Sequence, residues 1–256
     1  METRAIAFDH VRLGAPDPAA AARDWAVVLG AVPVERPGGG FRFQLDRGAL
    51  EIAAGPPGPT TLGFRHGDAR RGPGELHGIA LEWVAVVGAP AAGSEPPRQE
   101  GPGVHDVAPA ADRAHAIDHV VVRTSDPERV IASWRDELGL RLALDRSFPA
   151  RGLRMLFFRS AGVTLEFVAP IDSSGGGPDA IDGIAWQVQD LDACRARLVA
   201  EGLDVSEVRP GFKPGTRVAT LRSGTGGLPT LLIQPSPRTE DGETRGGLGA
   251  AARGDA

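Results

Sequence analysis

Asp9-His10-Val11, Asp17-Pro18, Trp25 and Leu29-Gly30 recur further along the chain as Asp118-His119-Val120, Asp126-Pro127, Trp134 and Leu138-Gly139. Both copies have the spacing D-H-V-x5-D-P-x6-W-x3-L-G. Identity at every one of these positions, in one register, marks a repeated supersecondary unit. Each copy opens on a short apolar run, Ala5 to Leu13 and Ala116 to Val122, with the length and β-branched content of a strand. Asp-Pro then reads as a helix start, with Asp as N-cap and Pro at the first helical position. A helical pattern follows with Trp25 or Trp134 on its apolar side, and Leu-Gly closes it with a left-handed C-cap.

Strands are expected next at 32–35, 41–45 and 49–53 in the first copy, and at 140–144, 153–159 and 163–169 in the second. Pro37-Gly38-Gly39-Gly40 and Ser160-Ala161-Gly162 mark turns between them. The unit is therefore βαβββ. The register returns in weaker form at Gly183-Ile184-Ala185-Trp186, which keeps to Asp190 the offset that separates His119 from Asp126. A helix over 191–200 and strands at 205–208, 217–221 and 230–234 complete that unit. Thr61 keeps the same offset to Asp68, but only one strand, 79–87, follows, so this unit is eroded.

The pattern resembles the vicinal oxygen chelate superfamily, which contains glyoxalases, extradiol dioxygenases, and fosfomycin and bleomycin resistance proteins. The resemblance rests on the repeated motif, on Leu165-Glu166-Phe167-Val168-Ala169-Pro170 and on the run from Gly183 to Ala193. It covers 116–235, extends over 5–54 and thins over 60–88. It implies an α+β fold in which tandem βαβββ modules pair into curved mixed β-sheets around a cleft, with the helices outside. The expected domains are an N-terminal glyoxalase-like domain over 1–87, a Pro/Gly/Ala-rich linker over 88–114, a two-module C-terminal domain over 115–236 and a disordered tail over 237–256.

The resemblance also implies metal ligands on the first and last strands of each module. His119 and Glu166 occupy those places in the second copy, and His10 and Glu51 in the first. The last unit has Gly183 where a His is expected and Leu231 where a Glu is expected, and neither side chain can ligate. In the N-terminal half, Ala80-Leu81-Glu82-Trp83-Val84-Ala85 resembles Thr164–Ala169, so His10, Glu51 and Glu82 form an alternative set, with His77 contributing instead if the register differs. His plus carboxylate suits a divalent ion with open positions, whether Fe, Mn, Ni or Zn. The alternative is no metal at all, each His simply bonding its Glu in a wet cleft. Glu166 lies on an otherwise apolar strand and needs a partner if buried. That partner is His119 or a metal, or else Glu166 stands free as a general base whose pKa burial raises.

Strand alternation puts Gly183, Ala185, Gln187, Leu231 and Ile233 on the cleft face, and turns Asp9 and Asp118 away from the histidines. The loop from Arg209 to Arg217 carries Lys213, the only lysine. Arg209, Lys213, Arg217 and Gln187 are the candidate substrate-binding residues, the loop folding over the cleft to grip an anion. The plainer reading is a proline-stiffened surface loop. Gly224-Thr225-Gly226-Gly227 lacks the Lys-Ser/Thr of a phosphate loop and reads as a turn.

A net charge of −5 without a long basic run argues against nucleic acid as a partner. No apolar span is long enough for a membrane helix, and no secretory leader is apparent. One cysteine, Cys194, excludes an internal disulfide and suits a reducing cytoplasm. The expected protein is a metal-dependent enzyme, a glyoxalase-type lyase or less readily a dioxygenase, with His119 and Glu166 as catalytic residues acting on a small oxygenated, anionic substrate. The alternative is a metal-free protein that binds or sequesters a small molecule, as bleomycin resistance proteins do. A homodimer is compatible with either.

Overall fold

The computed structural model describes residues 6–66, 72–85, 111–173 and 175–236. Most of the expected linker and the whole expected tail lie outside these. The first half contains β1 (Ala7–Ala15), α1 (Pro18–Leu29), β2 (Val34–Arg36), β3 (Gly40–Gln44), β4 (Ala49–Ala54), β5 (Gly58–His66), β6 (Glu75–Leu76) and β7 (Ile79–Ala85). The second contains β8 (Ala114–Arg123), α2 (Pro127–Val130), β9 (Arg141–Phe148), β10 (Leu153–Ser160), β11 (Val163–Pro170), β12 (Ala180–Val188), α3 (Leu191–Ala200), β13 (Arg209–Pro210), β14 (Arg217–Leu221) and β15 (Thr230–Gln234). The strands form two mixed sheets, ordered β2-β3-β4-β1-β5-β7-β6 and β13-β14-β15-β12-β8-β11-β10-β9. In each, the leading strands of two modules pair antiparallel at the centre (β1 with β5, β8 with β12), and each is flanked by the last strand of its own module in parallel.

The helix caps form as the Asp-Pro reading requires. Asp17 accepts from the Ala20 N–H at 2.9 Å, and Asp126 from the Arg129 N–H at 2.9 Å. Gly30 closes α1 in the left-handed conformation, φ 63°. The second copy departs from a plain helix: after one α-helical turn, Ile131–Glu137 widens into π-helix. That stretch carries buried Ser133, whose Oγ lies 2.7 Å from Nε2 of His77 in the β6–β7 turn. His77 therefore sits at the contact between halves and not in a metal set.

Both tryptophans are core residues, and each packs on the other half. Trp25 meets Trp186 at 5.7 Å between centroids, and Trp134 meets Phe64 at 5.9 Å. The leading helices thus lie between the two sheets, and one continuous core, which includes Val11, Leu62, Val120, Leu165, Ile184 and Leu232, joins the halves. Cys194 is buried in that core on α3, where burial pushes its thiol up to about 11.

Strand alternation directs the other face of each sheet away from this core, and that face carries the His/Glu pairs. In the second sheet β13 and β9 are opposite edges of eight strands. A flat sheet would hold them about 34 Å apart at about 4.8 Å per strand. Yet Phe212, just beyond β13, meets Phe148 at the end of β9 with ring centroids 5.7 Å apart, and the Arg151 guanidinium lies 5.3 Å from the Phe212 ring. The sheet therefore curls, and its edges meet through side chains.

The alternation that turns Asp9 and Asp118 away from the histidines fails at one point in each copy. The β1–β5 register shifts between Phe8 and His10, and the β8–β12 register shifts at Ile117 and His119, opposite Trp186 and Ala185. Each shift is a bulge that inserts the Asp as an extra residue and re-aims it. As a result Asp9 Oδ2 lies 2.8 Å from His10 Nδ1, and Asp118 Oδ2 lies 2.8 Å from His119 Nδ1.

Candidate functional site

The cross-strand register makes the two halves comparable residue by residue. Glu51 pairs with Arg12 on β1 and Arg42 on β3, whereas Glu166 pairs with Val121 on β8 and Phe157 on β10. One glutamate sits between two arginines and its counterpart between two apolar side chains.

In the N-terminal half the arginines are engaged. Arg12 Nη2 donates to Glu51 Oε2 at 2.8 Å and Arg42 Nη1 to Glu51 Oε1 at 2.7 Å. Arg12 also pairs with Glu82, while Arg42 Nη2 (3.1 Å) and Arg65 both donate to Asp9. Asp9, Glu51 and Glu82 are thus matched by Arg12, Arg42 and Arg65. Burial opposes ionisation of Glu51, but His10, Arg12 and Arg42 together hold its carboxyl below the usual range. Burial likewise opposes ionisation of Asp9, and His10, Arg42 and Arg65 hold it well below the usual range.

His10, 1% exposed, lies flat against Gly63, where any Cβ would stand 2.1 Å from its ring. Its Nε2 has no hydrogen-bond partner among the described residues and faces Glu51 Oε2 at 3.5 Å and Glu82 Oε2 at 3.3 Å. Donor atoms of His10, Glu51 and Glu82 all lie within 4.8 Å of one another. In donor type and convergence the set fits a divalent ion, which when bound would act as a Lewis acid towards a substrate oxygen. Arg12 and Arg42 already occupy the same carboxylate lone pairs and compete with it.

In the C-terminal half the same positions are open. His119 and Glu166 are 14% and 16% exposed, and His119 Nδ1 lies 3.8 Å from Glu166 Oε1, beyond hydrogen-bond range. No hydrogen bond reaches Glu166 among the described residues. Burial raises the Glu166 pKa, opposed by His119, Lys213 and Arg159 and assisted by Asp118. Asp118 goes the other way: burial notwithstanding, hydrogen bonds from His119 and Gln187 hold it at about 2.

Gly183 pairs with Val121, and Leu231 with Ala185, the places corresponding to Thr61 and Glu82. Leu231 and Ile233 pack with Ala185 and Val218 as an apolar wall on this face. With glycine and leucine at those positions, His119 and Glu166 do not complete the ligand set that the resemblance implies.

Lys213 acts electrostatically on both Glu166 and Asp118, so the sheet curls with the His/Glu face inside and the basic loop over it. Arg209 donates to Thr220 Oγ1 at 3.2 Å, beside Leu231 on that face. Arg217 is turned away: its guanidinium pairs with Asp192 on α3 at 2.7 and 2.9 Å, because its place in β14 is one residue out of phase with Val218. The structure therefore brings together His119, Glu166, Gln187 and Lys213, places Arg209 on the same face at the edge of the sheet, and leaves Arg217 outside. The sequence carries no signal of the bulge that brings Asp118 to His119, whereas the phase of β10 alone puts Arg159 on the cleft face with Phe157.

Residues 118–220 match the glyoxalase/bleomycin resistance protein/dioxygenase superfamily. No curated protein matches the chain. Among solved structures, the halotolerant catechol dioxygenase BphC is similar over 93% of this chain and 89% of its own, at 13% identity and a TM-score of 0.63, a likeness of fold. Methylmalonyl-CoA epimerase from Mycobacterium tuberculosis is 24% identical over 52% of this chain and 95% of its own, with a TM-score of 0.42. Residues 118–220 are thus matched to the glyoxalase/bleomycin resistance protein/dioxygenase superfamily, and the chain as a whole has a paired-module α+β fold like that of the dioxygenase.

Proposed function

We propose that the C-terminal cleft binds a small oxygenated anion and that Glu166 transfers a proton to and from it as a general base. The observation that carries this reading is the environment of Glu166: a carboxyl between Val121 and Phe157, without a hydrogen bond among the described residues, whose pKa burial raises. A base poised nearer to neutrality than an ordinary carboxylate is the form that proton abstraction needs. Lys213 supplies the charge that neutralises the substrate anion, and the wall of Ala185, Leu231 and Ile233 excludes water behind it. His119, its ring fixed by Asp118, lies beside Glu166 with Nε2 left to accept a proton from the substrate.

The test is solvent deuterium exchange. The purified protein is incubated in D2O with a panel of small carboxylic acids that bear a C–H beside a carbonyl, and deuterium uptake is followed by NMR. Uptake in the parent that falls about 100-fold in Glu166→Gln supports the proposal. If panel members bind to the cleft without exchange, the protein is the sequestering kind that Gly183 and Leu231 favour.

A further inference from the structure

The two halves dock through the same turn, used reciprocally. The turn between β10 and β11 reaches the start of β1, where the Phe8 N–H donates to Ser160 Oγ at 2.8 Å. The turn between β3 and β4 reaches the start of β8: the Asp46 N–H donates to His115 O at 2.9 Å and the Ile117 N–H to Arg47 O at 3.0 Å. Gly48 makes this approach possible, since a Cβ there would stand 3.0 Å from both Ile117 and Phe8.

The exchange is unequal in one respect. The first turn presents Gly162, whereas the second presents Arg47, whose side chain passes over Gly162 so closely that a Cβ would stand 2.6 Å from its Cδ. Arg47 Nη2 donates to Gln187 Oε1, Gln187 Nε2 donates to Asp118 Oδ1, and Asp118 Oδ2 holds His119 Nδ1.

We infer that Arg47, contributed by the N-terminal half, is a positioning residue for the C-terminal site, acting through Gln187 and Asp118 to fix His119 as its Nδ1–H tautomer. This rests on the proposed function of that cleft. The direction of the chain follows from donor chemistry. Arginine only donates, so the Gln187 carbonyl must face Arg47 and its amide NH2 must face Asp118. A carboxylate only accepts, so His119 must place a proton on Nδ1, leaving the lone pair on Nε2. Without Arg47 the Gln187 amide is free to rotate or flip, and Asp118 loses a donor. The N-terminal half has no such relay: Arg65, at the position of Gln187, binds Asp9 directly.

The test uses the imidazole 15N shifts of the labelled full chain at neutral pH, with the His119 signals identified by their loss in His119→Gln. The parent is expected to show one dominant Nδ1–H tautomer. Arg47→Ala and Gln187→Ala should each shift the tautomer ratio about five-fold, the scale of one hydrogen bond. The double variant should add nothing further, and Arg47→Lys should recover most of the effect.

Unchanged His119 signals in Arg47→Ala would overturn the inference. So would Arg47→Lys behaving as Arg47→Ala with the same fall in melting temperature, which marks a purely structural role. The measurement needs no substrate, so its failure and a failure of deuterium exchange are separate results.

Discussion

The two halves hold the same His/Glu pair in the same strands and set it in opposite surroundings. In the N-terminal half each carboxylate beside His10 has its arginine: Arg12 and Arg42 grip Glu51, Arg42 and Arg65 grip Asp9, and Arg12 pairs with Glu82. In the C-terminal half the corresponding partners of Glu166 are Val121 and Phe157, and its carboxyl is left with a raised pKa. A buried carboxylate with two guanidiniums is a structural anchor, whereas one facing a valine and a phenylalanine is poised to exchange a proton. The change from anchor to candidate base lies in the residues across the strand, not in the His and Glu themselves.

The sharpest way to break this comparison is to transplant the anchor. Val121→Arg places a guanidinium across from Glu166 and should suppress proton exchange about 100-fold, the loss expected when a general base is removed. Exchange at the parent rate would show that the strand partners do not set the role. Removing the N-terminal anchor is the reciprocal change. Glu51→Gln removes the carboxylate that Arg12 and Arg42 share, leaving them only Glu82 and Asp9, and should cost about 2 kcal/mol in denaturant unfolding; a cost below about 0.5 kcal/mol would mean that the arginines hydrate freely. Arg12→Ala frees the carboxylates facing His10 Nε2, and elemental analysis after incubation with Mn, Fe, Ni or Zn should find about one equivalent more divalent metal than the parent. Equal metal in both proteins would sink the idea that Arg12 competes for that site.

The glutamates should also differ in the sign of their effect on stability. Glu51 has a lowered folded-state pKa, so its contribution is present above the unfolded value of 4.5 and is lost as pH falls through the folded value. Glu166 has a raised one, so its contribution is full below 4.5 and is lost as pH rises through the folded value. Glu166→Gln should therefore be more stable than the parent at neutral pH, by about 1 kcal/mol, the two converging below 4.5. A Glu166→Gln variant less stable than the parent at neutral pH would mean that Glu166 is paired in solution. Lys213→Ala should weaken the binding of a small anionic ligand about tenfold and of a neutral one hardly at all, as read by calorimetry. Equal losses would remove Lys213 from anion recognition.

Much of this arrangement is legible in the chain. The repeat D-H-V…D-P…W…L-G gives the module, its caps and the tryptophans that pack it, because each follows from local spacing. The same offset places Gly183 and Leu231 where ligating side chains would stand, and the strand register puts them there. Nearness in sequence groups Arg217 with Lys213, but one residue of strand phase relative to Val218 turns Arg217 to the other face. Alternation alone turns Asp9 and Asp118 the wrong way, because it holds only for an unbroken ladder and a bulge appears only once two strands are paired.

The sequence by itself therefore determined the modules, their order and the two His/Glu pairs, since these depend on periodicity and spacing over tens of residues. Only the tertiary structure decided which pair is neutralised, by placing Arg12 and Arg42 against one glutamate and Val121 and Phe157 against the other. It alone curled the second sheet until Phe212 met Phe148, and it alone brought Arg47 across to Gln187. Those contacts join residues far apart in the chain, and their partners are chosen by strand pairing and by the packing of one half on the other, which no local pattern encodes.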